Sequence, residues 1–238
     1  MPPVDRLPPP PAAPVRSPPA AVAGEETTRI EGLGGGPALE ARVHAPPGAR
    51  RAVVICHPHP LYGGSMHSPV PLAIAKYLSE VACGKVAWAR FNFRGVGASE
   101  GIYDRGRGEV DDARAVLEYV GHAEPGAAMA VCGHSFGSVV ALTLAARDPR
   151  IDRTLLIAPS PRLFDLPDLP KPDRLSASTT IFIGDRDEFC DVDDARALAS
   201  ELGAELRVFE GFDHHFLKSR RALAVAALPV IAPEVAPQ

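Results

Sequence analysis

Cysteine, surplus charge and long apolar runs are all scarce in this chain, and each scarcity narrows what it can be. The four cysteines, Cys56, Cys83, Cys132 and Cys190, lie far apart in 238 residues. Cys56 and Cys132 fall in apolar, strand-like runs where a free thiol packs as a small hydrophobe, so reduced, structural thiols are expected. A formal charge of -4 offers no basic footprint for nucleic acid or anionic lipid. Small molecules are the expected partners. No apolar run reaches the roughly 18 residues of a membrane span, and the first residues do not set a charged segment before an apolar one. A soluble, cytoplasmic protein is expected, and no internal repeat of roughly 20 to 50 residues is visible.

Proline, by contrast, is plentiful, with 26 residues, and it is unevenly spread. Residues 1–24, which include PPVDRLPPPPAAPVRSPP, cluster it among few large apolar side chains. Such a segment buries too little surface to offset its ordering entropy, and a disordered tail of polyproline character is expected there. The end of the chain, LPVIAPEVAPQ, reads as fraying, with residues 231–238 as a second tail. Between them, residues 25–230 have the length of one α/β domain. At 46% hydrophobic and 23% charged residues the chain can bury a substantial core.

TTRIEG and ALEARVHA read as two opening strands, joined as a hairpin around the glycines at 34 to 36. AVVICH, VAWARFNF, AMAVCG, RTLLIA, TTIFIG and LRVFEG are apolar on successive residues, the signature of strands buried on both faces of a mainly parallel sheet. Between them MHSPVPLAIAKYLSEVA, GEVDDARAVLEYVGHA, FGSVVALTLAARD, VDDARALASELG and HFLKSRRALAVAAL carry apolar residues at helical spacing. The third is apolar nearly all round and should be the central buried helix. A doubly wound α/β domain of about eight strands follows, with chemistry expected at the carboxyl ends of the strands.

Gly133-His134-Ser135-Phe136-Gly137 lies between a strand and that apolar helix. A serine on a tight strand-to-helix turn has strained backbone angles, and small residues two before and two after avoid a clash. Its hydroxyl then stands above the sheet with the helix N-terminus behind it, where N–H groups face developing negative charge. Ser135 is therefore the candidate nucleophile. It needs a base, and the base an orienting acid. GDRDEFCD offers acids after a late strand and FDHHF histidines after the last one, in the order Ser, Asp, His. Asp185 and Asp187 compete for the acid, His214 and His215 for the base, while Asp191, Asp193 and Asp194 suit the start of the next helix.

With these motifs in place the chain resembles the α/β-hydrolases. HPHPLYGGSMHSPV, FNFRGVGASEG, GHSFG, GDRDEF and DHHF resemble the small, capless, dienelactone-hydrolase-like branch of bacterial hydrolases, from about Ala38 to Phe216. Ser135 stands where true dienelactone hydrolases carry cysteine, so their substrate class is not inherited. The resemblance implies an α/β-hydrolase fold without a large cap and matches Asp187 to a Gly-x-x-Asp pattern from Gly184. It also matches His214 to a Gly-x-x-His pattern from Gly211, with Phe216 beginning the helix behind it. In FNFRGVGASEG, Arg94 is expected to bridge backbone carbonyls of the turn while Gly95 and Gly97 permit tight angles.

His57-Pro58-His59-Pro60 ends the strand expected beside that of Ser135. The prolines have no N–H, so the donors left to point outward are those of His59 and Leu61. By the resemblance, the His59 N–H joins the Phe136 N–H as an oxyanion hole. A rival reading makes His57 and His59, with His67 or the later pair, ligands of a metal. The expected protein is a serine hydrolase of a small, soluble carboxylic ester or related acyl compound, working through Ser135, His214 and Asp187 without cofactor or metal. About twenty proline-studded residues between Ala158 and Thr179 leave little room for a lid. An acyltransferase or thioesterase would use the same residues, and a catalytically silent binding protein is the alternative from another class.

Overall fold

The computed structural model describes residues 21–82, 84–160 and 178–235. Cys83, most of the N-terminal tail and most of the stretch expected to leave no room for a lid lie outside the described residues.

The opening hairpin pairs β1 (Glu26–Ile30) antiparallel with β2 (Leu39–His44), Ile30 opposite Leu39. Gly34 and Gly35 take the positive φ that its turn requires, 62° and 81°. Thereafter strands and helices alternate: β3 (Arg51–Cys56), α1 (Pro69–Val81), β4 (Val86–Phe91), α2 (Arg107–Ala123), β5 (Ala128–His134) and α3 (Phe136–Arg147). They continue as β6 (Ile151–Ile157), β7 (Ser178–Gly184), α4 (Val192–Leu202), β8 (Glu205–Phe209) and α5 (Arg220–Ile231). The strands form one eight-stranded sheet in the order β1-β2-β4-β3-β5-β6-β7-β8, parallel from β4 to β8.

Burial of both faces explains the continuous apolar runs. In β3, Ala52, Val54 and Cys56 join the core beneath α2, α3 and α4, while Val53 and Ile55 join the one beneath α1 and α5. The expectation of two-sided burial fails for β8, where Glu205 and Val208 are exposed: among the described residues it is the edge strand of the sheet. Helix α3 is buried at every residue from Phe136 to Ala145, as its all-round apolarity implies.

Both ends of the packed chain reach further than expected. Val22 is buried in the α1/α5 core, and Glu25 is paired in the interior with Arg90 at 2.7 Å, so residues 22–24 are not part of a tail. At the other end Ile231 and Ala232 are fully buried, and a short 3-10 turn, Pro233–Val235, brings Glu234 onto the buried Arg51. Arg51 also pairs with Asp152. A long-range ion pair of this kind holds a segment whose local sequence looks like a frayed end.

Candidate active site

The turn that carries Ser135 is strained and tightly built. Ser135 has φ 55° and ψ −120°, outside the regions ordinary L-residues favour, and its N–H donates to Ile157 O at 2.8 Å. The flanking glycines answer to contact. A Cβ on Gly133 would stand 2.0 Å from the Gly137 carbonyl oxygen, and one on Gly137 would stand 2.5 Å from those of Cys56 and His57. The N-terminus of α3 therefore lies directly against the end of β3, which brings the HPHP loop to the serine.

Ser135 and His214 line one cavity of about 410 Å³ together with His134, His215, His59, Tyr62, Phe189, Leu217 and Arg220. The cavity sits at the carboxyl ends of β3, β5, β7 and β8, where chemistry was expected. Behind His214 lies Asp187, whose side chain is fully buried and whose carboxylate oxygens stand 2.9 and 3.0 Å from His214 Nδ1. Asp187 is itself fixed, since Oδ1 accepts the N–H groups of Phe189 (2.9 Å) and Cys190 (3.0 Å). A carboxylate on Nδ1 sets the tautomer and turns Nε2 outward as the atom able to take a proton.

The rivals occupy other positions. Asp185 is exposed and accepts the Gly211 N–H at 2.6 Å, tying the β7 and β8 loops together. His215 is exposed, and burial of its ring with His214 nearby lowers its pKa. Asp191 caps α4 by accepting the Asp194 N–H at 2.7 Å. Phe216 does not begin a helix: it is fully buried with φ 52°, and α5 starts at Arg220 behind a Ser219 cap.

The two histidines of HPHP have structural partners on every ring nitrogen. His57 is buried, accepts the Phe93 N–H at 3.0 Å on Nε2 and donates Nδ1–H to Pro58 O, which fastens the end of β3 to the end of β4. Burial lowers its pKa to about 3. His59 accepts the Leu61 N–H at 3.1 Å on Nδ1 and faces Tyr103 Oη at 3.1 Å with Nε2; burial lowers it to about 4. His67 stands 3.1 Å from Arg90 Nη1, whose positive charge repels a cation. Among the described residues no cluster of three or more His, Cys, Asp or Glu is arranged to hold a metal. Nor does Arg94 bridge carbonyls: it forms a forked pair with the buried Asp112, Nη2–Oδ1 2.7 Å, across the loop where Gly95 and Gly97 have φ 75° and 58°.

Sequence reasoning gave no role to His134, Tyr103 or Arg220. A histidine directly before the candidate nucleophile was a signal available for the first. Tyr103 and Arg220 reach the site through long-range packing that no local pattern announces.

A mainly parallel sheet with a strained serine elbow and an Asp–His pair on the following strand ends defines an α/β serine hydrolase. Residues 47–171 match the family described as serine aminopeptidase, S33, and the chain belongs to that family. An uncharacterized protein of Rickettsia prowazekii (strain Madrid E) is 34% identical over 178 residues, 71% of this chain and 73% of the relative. Among solved structures, an α/β serine hydrolase without lid from Xanthomonas campestris is similar at 29% identity and TM-score 0.77, covering 92% of this chain and 99% of that one. An α/β serine hydrolase homologue from Coxiella burnetii is 32% identical with TM-score 0.72, covering 88% and 100%. Est1E from Butyrivibrio proteoclasticus, solved with ferulic acid, shares the fold at 18% identity and TM-score 0.73, covering 88% and 100%. No helix among the described residues is long and apolar enough to cross a membrane.

Proposed function

We propose that the protein hydrolyses esters of small carboxylic acids through an acyl-enzyme on Ser135. The observation that carries this reading is the buried Asp187 carboxylate on His214 Nδ1, with His214 facing the cavity that Ser135 lines. Ser135 Oγ attacks the ester carbonyl as its proton passes to His214 Nε2, and Asp187 stabilises the resulting imidazolium. The tetrahedral intermediate collapses, the alcohol leaves with the proton from His214, and a water deprotonated by the same imidazole releases the acid and restores Ser135.

The negative oxygen of the intermediate is assigned to the N–H groups of Phe136 and His59. The Phe136 N–H opens α3, where the helix dipole favours an anion, and the contact of Gly137 with Cys56 and His57 holds the HPHP loop beside it. The Leu61 N–H, the other donor the prolines leave in that loop, is engaged by the His59 ring.

The family description speaks of an aminopeptidase, yet the pocket chemistry favours another substrate. Holding a peptide's ammonium group calls for a carboxylate at the cavity wall. Among the described lining residues there is no Asp or Glu, while Arg220 contributes a positive charge and Tyr62, Phe189 and Leu217 an apolar rim. Neutral or anionic acyl groups match that wall, and the ferulate carried by a structural neighbour is of that kind. Steady-state assay of short p-nitrophenyl esters beside aminoacyl p-nitroanilides tests this. Turnover of the esters, lost by a factor on the order of 10⁴ to 10⁶ in Ser135→Ala with the melting temperature held, is expected. Cleavage of the anilides in preference to the esters, or Ser135→Ala within about tenfold of wild type, would overturn it.

A further inference from the structure

The triad reading sets a geometric problem. Ser135 follows β5, while His214 follows β8, and β6 and β7 lie between those strands. Strand pairing therefore does not hold the base's loop to the nucleophile's turn, and the loop must be fastened across two intervening strands. Asp187 fixes the ring of His214 from the β7 side, and Glu188 Oε2 lies 3.4 Å from its backbone N–H. The backbone carbonyl of His214 is held from the other side, by His134: Nε2 lies 2.9 Å from that oxygen, and the His134 and His214 rings pack with centroids 5.2 Å apart.

His134 is 3% exposed, and a carbonyl can only accept, so Nε2 carries the proton and Nδ1 is left with a bare lone pair. Among the described residues that buried Nδ1 has no hydrogen-bond partner. Burial, and then the neighbouring His214, lower the pKa of His134 to about 3, so the ring stays neutral and its single N–H stays committed to the carbonyl. A buried polar atom left unpaired is a cost to stability, and here it falls directly beside the candidate nucleophile. An apolar side chain would fill the same place without the cost but could not hold the loop.

We propose that His134 is a positioning residue for the hydrolase: its Nε2–H, adjacent in sequence to the nucleophile, holds the His214 carbonyl and so aims the base at Ser135. The elbow dipeptide His134-Ser135 would then carry both the attacking hydroxyl and the strut that places its proton acceptor. This rests on His214 being the base, as proposed above. A base displaced by about 1 Å costs on the order of 10²-fold in rate without changing how substrate binds.

The test compares His134→Phe, which keeps a ring but no donor, with His134→Gln, whose amide N–H reaches about as far as Nε2, and with His214→Ala, on a short p-nitrophenyl ester. In His134→Phe, kcat is expected to fall about 10- to 100-fold with KM within about threefold and the melting temperature equal to or above wild type. His134→Gln should recover most of kcat, and His214→Ala should be nearly dead. Wild-type kcat in His134→Phe, or a His134→Gln as slow as His134→Phe, overturns the strut alone when His214→Ala is dead. Retained turnover in His214→Ala removes the base assignment and the strut with it.

Discussion

Two aspartates and two histidines compete for the same roles within a few residues, and burial separates them. Asp187 is enclosed and bonded to His214, whereas Asp185 is exposed and bonded to the backbone of Gly211. An amide in place of the orienting carboxylate favours the wrong imidazole tautomer and leaves the imidazolium unsupported, a loss on the order of 10⁴ in kcat where it has been measured in other triads. Asp187→Asn should therefore lose several powers of ten in turnover, while Asp185→Asn, which keeps an oxygen for the Gly211 N–H, should stay within about tenfold. The kcat values of the two variants decide the matter, and the reverse ranking would transfer the role to Asp185. His215 needs no triad role: the residue is exposed overall, and its partly buried ring stands in T-shaped contact with His214 at 5.2 Å, the place of a neighbour at the mouth.

At the scale of elements, the HPHP segment works as a rigid bracket. His57 ties β3 to β4, His59 closes the following turn on Leu61, and Gly137 of α3 packs on the carbonyls of Cys56 and His57. If its contribution to the reaction is the His59 N–H, then His59→Pro, which deletes that donor, should cost about 10² to 10³ in kcat, and His59→Ala much less. Equal losses in both, each with its fold intact by circular dichroism, would show that the ring and not the backbone matters. The strands, the central helix and the elbow were legible in the sequence because each follows from local period and turn chemistry. What escaped was set by distant partners. The C-terminal turn is held by Glu234 on Arg51, Arg94 takes Asp112 from α2 in place of turn carbonyls, and Phe216 enters the core at positive φ when local periodicity would make it helical. Of the candidate site, Asp187 and His214 could be singled out by motif, but the contact between them was not legible, because nothing local in the sequence distinguishes a buried aspartate from an exposed one two residues away.

Across the whole molecule, three imidazoles are neutral and enclosed: His57 and His134 with pKa lowered to about 3 and His59 to about 4. In the unfolded chain each returns to about 6.5. Above that value neither state is protonated and the contribution to stability is complete. As the pH falls below it, the unfolded chain takes up protons that the folded one refuses, and stability declines toward the folded pKa values. Each group adds about 1.4 kcal/mol per pH unit to that slope. Urea unfolding at pH 7.5, 6.0 and 5.0 should show a flat upper range and a steep fall below it, made shallower in His57→Gln. A stability independent of pH between 7.5 and 5.0 would mean that these rings are not enclosed as described. The central claim is that this enclosed scaffold presents Ser135 as a nucleophile activated by His214, and covalent labelling tests it most directly. Incubation with a fluorophosphonate followed by peptide mapping should place one adduct on Ser135, formed rapidly in the native chain and slowed by several powers of ten in His214→Ala. A folded protein that takes no label, or takes it on another residue, would contradict the claim.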